Sequence, residues 1–240
     1  MASLNPVTAF DVAQDLQQGI ARGLSVPGAR LESERSISQR LGTSRVTVRE
    51  GLKLLEAEGV IYRSNRRGWY LTPARILYDP SRSAFFMDLL AGQGVTPFSR
   101  VLDQQTINAD APLAAQMGVS PGEPLLFLSR VRGAEDRPLC LDQVWLRSAL
   151  LPGIAERNLE PSVSAVLREH YGQDYSRQTL NIRASTLTSA QAETLLAPVG
   201  YSCIRIDRLV RDGAGQVVEC DTEIWRHEAL QLSMDISPGH

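Results

Sequence analysis

Lysine is nearly missing from this chain: Lys53 is the only one in 240 residues, a bias of the kind that genomic base composition produces. Histidine is scarce as well, with only His170, His227 and His240, which excludes a histidine-rich metal centre. The three cysteines, Cys140, Cys203 and Cys220, are odd in number and far apart, and none belongs to a CxxC pair. A disulfide framework and a structural zinc site are excluded on that pattern. No window approaches eighteen consecutive apolar residues, and the first residues, MASLNPVTAFDVAQDL, lack a basic n-region and an apolar h-region. The expectation is a cytoplasmic protein with no membrane contact. No nucleophile–base pair or metal-ligand cluster emerges, so no catalytic residue, metal or cofactor is assigned.

What is present is an uneven distribution of charge. Residues 1–75 carry eleven Lys and Arg against seven Asp and Glu, while residues 76–240 carry fourteen against twenty. Any nucleic-acid contact is therefore expected in the N-terminal part. The length is enough for two modest cores.

The N-terminal part reads as three helices and a hairpin. Val12, Leu16 and Ile20 recur at helical spacing after Thr8, a suitable N-cap. Ser33-Glu34 opens a short second helix that ends near Leu41 at Gly42-Thr43, and Ser44 caps a third with Val48, Leu52 and Leu55 on its apolar face. Two helices with so short a turn between them make a helix-turn-helix. On the third, Arg45, Arg49 and Lys53 form a polar stripe, with Thr47 in the same first turns. Taken alone, such a stripe equally suits a solvated helix face. Val60–Arg63 and Trp69–Thr72 are β-like runs joined by Ser-Asn-Arg-Arg-Gly, a basic wing suited to a minor groove.

These blocks resemble the GntR family of bacterial regulators, whose signature runs approximately LPSER, SRxTVREAL, LExEG and a GRGxxV wing. Here they are LESER (31–35), SRVTVREGL (44–52), LEAEG (55–59) and RRGWYL (66–71). The resemblance implies that Arg35, Ser44, Arg45, Thr47 and Arg49 contact a double-stranded operator, with Arg67 and Gly68 at the wing tip. Arginine suits this role because its planar fork donates two bonds to guanine. Three departures stand out: Glu32 for proline, Gly51 for alanine and Arg66 for the first wing glycine.

Residues 76–97 read as a linker and short helix, with Phe85, Phe86 and Met87 assigned to packing, and residues 98–240 as an α+β domain around an antiparallel sheet. Two stretches, LAAQMGVSPGEPLLFLSRVRGAEDRPLCLDQVW and ETLLAPVGYSCIRIDRLVRDGAGQVVECDTEIW, place Ala134 and Ala214, Cys140 and Cys220, and Trp145 and Trp225 each 80 apart. That repeat predicts a duplicated helix-plus-hairpin unit with a cleft between the hairpins and the intervening helix.

This part resembles the UTRA effector domain of the HutC subgroup, with a chorismate lyase-like fold, through SRV (99–101), SRVRGAEDRP (129–138), SVSAVLREHYG (162–172) and VECDTEIWRHEAL (218–230). Within that group it looks most like regulators of phosphonate use, particularly 2-aminoethylphosphonate. Arg130 and Arg132 alternate on one strand and share a face, where they can grip a phosphonate or phosphate ester. Ser162 adds a hydroxyl at a helix N-terminus, and Asp142 and Glu219 are acceptors for an ammonium or hydroxyls. Ser99 and Ser164, in the matching blocks, complete the candidate effector contacts. The resemblance implies a homodimeric repressor on a palindromic operator, released or engaged by a small anionic effector. An amino-sugar-phosphate-responsive regulator, a chorismate-lyase-like enzyme and a constitutive DNA binder are the alternatives.

Overall fold

The computed structural model describes residues 6–23, 26–64, 67–80, 86–173, 175 and 177–235. Two of the sequence readings, on Arg66 and Phe85, concern residues outside that set. The chain forms two units, one running to Arg75 and including His227–Ala229, the other formed by Ile76–Arg226 and the residues from Leu230 onward. No helix among the described residues is long and apolar enough to cross a membrane.

In the first unit, α1 (Ala9–Ala21) begins with a reciprocal cap: Thr8 N–H donates to Asp11 at 2.8 Å, and Asp11 N–H to the Thr8 hydroxyl at 3.3 Å. Ser33 caps α2 (Glu34–Leu41), which stops at Gly42 with φ of 61°, a left-handed conformation that glycine adopts without strain. Ser44 caps α3 (Arg45–Ala57), whose Val48, Leu52 and Leu55 are completely buried against Val12 and Ile37. Two strands follow, β1 (Ile61–Ser64) and β2 (Gly68–Leu71), antiparallel with Arg63 opposite Trp69. Residues before α2 extend the wing on the free side of β2, where Leu31 N–H donates to the Trp69 carbonyl at 2.8 Å. The expected helix-turn-helix and hairpin wing are both present.

Gly51 sits in the middle of α3 and is buried. A Cβ there would lie 2.7 Å from the Ala9 carbonyl oxygen and 2.8 Å from Val12 Cβ. The absent methyl lets α1 and α3 approach more closely than alanine allows, which offsets glycine's poor helix propensity.

In the second unit, β3 (Ile76–Tyr78) pairs in parallel with β10 (Leu230–Leu232), and α4 (Phe86–Ala91) follows β3 in sequence. The main sheet has six antiparallel strands in the order β4-β5-β6-β9-β8-β7. These are β4 (Pro97–Asn108), β5 (Pro124–Ala134), β6 (Arg137–Leu146), β7 (Gln178–Thr186), β8 (Ser202–Arg211) and β9 (Val217–Arg226). Helix α5 (Ala111–Met117) connects β4 to β5, and α7 (Ser189–Thr194) connects β7 to β8, so each half is strand, helix, hairpin.

The central register carries the repeat. Cys140 faces Trp225 across β6 and β9, and Trp145 faces Cys220. Adding 80 to Cys140 and Trp145 yields the same two pairs with partners exchanged, as a local two-fold axis through the β6–β9 pair requires. Side-chain alternation divides the sheet. Leu125 and Cys220 pack with α5 residues Ala114 and Met117, and Leu141 and Ile224 pack with Ala192 of α7. On the other face, Leu126, Leu128, Val144 and Val210 pack against Val163 and Leu167 of α6 (Val163–Tyr171), the helix between the two halves. All three cysteines are buried and unbridged.

Candidate functional site

The first unit gathers its basic residues from three elements. Arg35 is exposed in the first turn of α2, and Arg45 and Arg49 project from the first turns of α3 with side chains 63% and 50% exposed. The Ser44 hydroxyl accepts from Thr47 N–H at 3.1 Å and lies 2.9 Å from the Thr47 hydroxyl, so these two candidate contacts form one polar edge at the start of α3. Arg67 is exposed beside Gly68, whose φ of 107° belongs to glycine. A methyl on Gly68 would stand 3.4 Å from Arg30 Nε, so Arg30 also belongs to the wing.

Three features of this surface escape a reading by motif. Arg30 is one, because it precedes the first recognisable block. Val46, 69% exposed among the arginines of α3, is another, a methyl-bearing group of the kind that contacts thymine. The third is Glu34. Its carboxylate accepts from Arg49 Nη2 at 2.8 Å and Nε at 3.4 Å, and from Trp69 Nε1 at 3.3 Å, with Arg45 Nη2 at 3.8 Å. The bond from Arg49 holds the Glu34 carboxyl below its ordinary pKa, so it is charged at neutral pH.

The second unit has a small, solvent-open cavity of about 40 Å³. Its walls come from β5 (Arg130, Arg132), β8 (Arg208), β9 (Glu223, Trp225) and the start of α6 (Ser162, Val163, Ser164), with Tyr78, Phe86 and Leu89 from the segment that precedes the main sheet. The predicted cleft between hairpins and intervening helix is there. Four of the seven candidate effector residues, Arg130, Arg132, Ser162 and Ser164, line it.

The other three do not. Asp142 lies beneath the cavity, buried, paired with Arg130 and 3.6 Å from Arg132 Nη1. Glu219 is buried and accepts from the Tyr175 hydroxyl. Ser99 sits opposite Arg132 on β4 with its hydroxyl buried. The carboxylate in the wall is Glu223, which accepts from Trp225 Nε1 at 2.9 Å and lies directly across the β6–β9 pair from Asp142. Glu219, Asp221 and Glu223 alternate onto one face, and only the inter-strand register decides which of them reaches the cavity. Phe86, expected to serve packing alone, is a wall residue whose ring lies 4.0 Å from the Arg132 guanidinium carbon.

The cavity's electrostatics are set by buried charge. Arg130 is spoken for, bonded to Asp142 and to the Leu159 carbonyl at 2.6 Å. Arg208 donates to the Tyr78 hydroxyl at 2.8 Å and approaches Asp221 and Glu223 at 3.7 and 3.8 Å. Burial opposes its charge, but those carboxylates outweigh burial and hold it above the ordinary arginine value. Burial pushes Asp221 and Glu219 up from theirs, and burial also raises the Tyr78 phenol, to about 12. Yet Arg132 Nε and Arg208 Nε are buried without a hydrogen-bond acceptor. A buried, unsatisfied N–H on a cation is costly, and both belong to guanidiniums that line one cavity, whose concentration of arginine favours an anion. The first turn of α6, which forms part of the same wall, adds the positive end of a helix.

Comparison with known proteins converges on one family. Residues 8–71 match the model described as bacterial regulatory proteins, gntR family, and residues 92–231 match the UTRA domain. The chain is 29% identical over 234 residues to the uncharacterized HTH-type transcriptional regulator YihL of Escherichia coli, covering 97% of this chain and 99% of that one. It is 26% identical over 217 residues to the HTH-type transcriptional repressor NagR of Bacillus subtilis, covering 90% and 89%. Among solved structures, PhnF from Mycobacterium smegmatis superposes with a TM-score of 0.67 at 21% identity, covering 95% of this chain and 100% of that one.

Proposed function

This chain belongs to the GntR family and, within it, to the branch that carries a UTRA domain, and from that premise we propose an operator-binding repressor controlled by a small phosphonate or phosphate ester. DNA binding and transcriptional regulation follow from the family itself. The further reading assigns Arg35, Ser44, Arg45, Thr47, Arg49, Arg67 and Gly68 to the operator, phosphate contacts fixing position and the arginines of α3 reading bases. The chain acts as a homodimer, whose two recognition helices match a palindromic site.

The observation that carries the effector assignment is the gathering of three guanidiniums, Arg130, Arg132 and Arg208, around a cavity that also holds the start of α6. An oxyanion with several acceptor atoms satisfies donors from several directions at once, as phosphonates and phosphate esters do. Arg132, Ser162 and Ser164 hold the anionic head. Glu223, rather than Asp142 or Glu219, accepts from an ammonium or hydroxyl at the other end, because it lines the cavity and they do not. A compact ligand bearing an anion and a cation, 2-aminoethylphosphonate in particular, fits that arrangement.

Two of the guanidiniums also hold the segment that follows the DNA-binding unit in sequence: Arg208 bonds Tyr78 and Arg132 covers Phe86. An anion recruiting these guanidiniums changes what Tyr78 and Phe86 rest on, and a ligand regulates only by preferring one such arrangement over another. The test is thermal stabilisation by 2-aminoethylphosphonate, glucosamine 6-phosphate and inorganic phosphate. A true effector at one hundred times its Kd stabilises by about 2.7 kcal/mol. Stabilisation by none of the three removes the anion reading, and turnover of any of them points to an enzyme.

A further inference from the structure

On the recognition surface of this protein an acidic residue, Glu34, is bonded directly to Arg49, and its placement runs against simple charge attraction. Glu34 opens α2, yet its side chain reaches across to α3 and to the wing. Only 15% of that side chain is exposed. Trp69 Nε1, from the buried ring on β2, fixes one carboxylate oxygen from behind while Arg49 approaches both. A carboxylate in such a position repels DNA phosphates, so it lowers affinity for any duplex.

Its geometry provides a compensating gain. Arg49 presents Nε and Nη2 to Glu34, which is the side edge of the guanidinium fork. A guanidinium has five N–H donors, so the end edge, formed by Nη1 and the outer proton of Nη2, stays available. The side chain is half exposed, which leaves room for a base to approach that end edge. Two parallel donors on a fixed plane match guanine O6 and N7, while an untethered arginine must first lose the freedom of a long flexible side chain.

We infer that Glu34 is a positioning residue for sequence recognition: it clamps the side edge of Arg49 so that the end edge is aimed at a base, trading general affinity for discrimination. This rests on the assignment of Arg49 to base contact. It commits Glu34 to opposite effects on two kinds of DNA, which a residue that merely supports the fold does not have.

The experiment measures anisotropy titrations of the full-length protein against two labelled duplexes at one salt concentration. One duplex is enriched by the wild-type protein from a randomised library, and the other is a random sequence of equal length. Glu34→Gln is expected to bind the random duplex a few-fold more tightly, because a negative charge is gone, and the enriched duplex less tightly. The ratio between the two falls about tenfold, within the usual range for one bidentate base contact. Glu34→Asp, which keeps the charge but not the reach, loses the ratio without the gain on random DNA. In an Arg49→Ala background, Glu34→Gln leaves the ratio where Arg49→Ala put it.

Equal strengthening on both duplexes makes Glu34 a plain counterion and overturns the inference. Equal weakening, with a lowered melting temperature, makes it a structural residue and overturns it too. If Arg49→Ala itself keeps the wild-type ratio, the recognition-helix assignment falls with it. If Arg49→Ala loses the ratio while Glu34→Gln keeps it, only the positioning role falls.

Discussion

Replacing Gly51 with alanine restores the residue that the signature block normally carries, and by helix propensity alone it stabilises α3 by about 1 kcal/mol. The structure reverses that expectation. The new Cβ meets the Ala9 carbonyl oxygen at 2.7 Å, Val12 Cβ at 2.8 Å and Val12 Cγ1 at 2.9 Å, all closer than carbon tolerates. None of these atoms can swing aside: one is helix backbone, and Val12 is fully buried and stiff at χ1. Relief requires α1 to move off α3 by several tenths of an ångström, and overpacking of this kind costs about 1–3 kcal/mol. The net effect is a destabilisation of about 1 kcal/mol, worth about 4–8 °C in the melting temperature of a unit this size. Far-UV circular dichroism or calorimetry of the full chain resolves such a shift in the transition assigned to the N-terminal unit. A midpoint that rises in Gly51→Ala refutes the claim that close helix approach explains the glycine.

Three other perturbations follow from the same reasoning. Arg49→Ala should weaken binding to the enriched duplex by about 1–3 kcal/mol and flatten its salt dependence, which anisotropy titrations across salt concentrations measure. Arg132→Ala should leave DNA binding without ligand unchanged and abolish the response to the effector, read by adding ligand to the preformed complex. Asp221 titrates above its ordinary value in the folded protein because burial disfavours its charge. Its proton is therefore bound more tightly when folded, and stability falls as pH rises from the unfolded pKa toward the folded one. Urea unfolding of Asp221→Asn and wild type from pH 4 upward should show the difference moving in favour of the variant, at no more than about 1.4 kcal/mol per pH unit.

The parts of the molecule governed by local rules were legible from residues. Thr8, Ser33 and Ser44 cap helices where their chemistry puts them, and Val48, Leu52 and Leu55 are buried at the spacing a helix face demands. The offset of 80 between Cys140 and Cys220 became a symmetric strand register because duplicated hairpins pair through equivalent positions. Arg130 and Arg132 line one cavity because alternate residues of a strand share a face.

Contacts across long stretches of sequence were not legible. Glu223 rather than Glu219 reaches the cavity because of how β9 registers against β6, and no periodicity within β9 reveals that. Arg208 reaches the cavity from β8, and nothing in the pattern of that strand sets it apart from its neighbours. Phe86 and Tyr78 belong to the segment before the main sheet and become cavity walls only when it packs there. Glu34 meets Arg49 fifteen positions along the chain and Trp69 thirty-five along, so its part in recognition is a product of tertiary structure.

We propose that an anion in the cavity of Arg132, Arg208 and Ser162 controls the DNA-binding unit. That control is tested most directly by titrating 2-aminoethylphosphonate, with inorganic phosphate and glucosamine 6-phosphate as comparators, into the complex of full-length protein with its enriched duplex. Anisotropy reports how much DNA stays bound. A saturable release by one of these anions in the wild type, absent in Arg132→Ala at equal DNA affinity, is the expected result. An identical response in wild type and Arg132→Ala, or no response to any of the three anions, contradicts it.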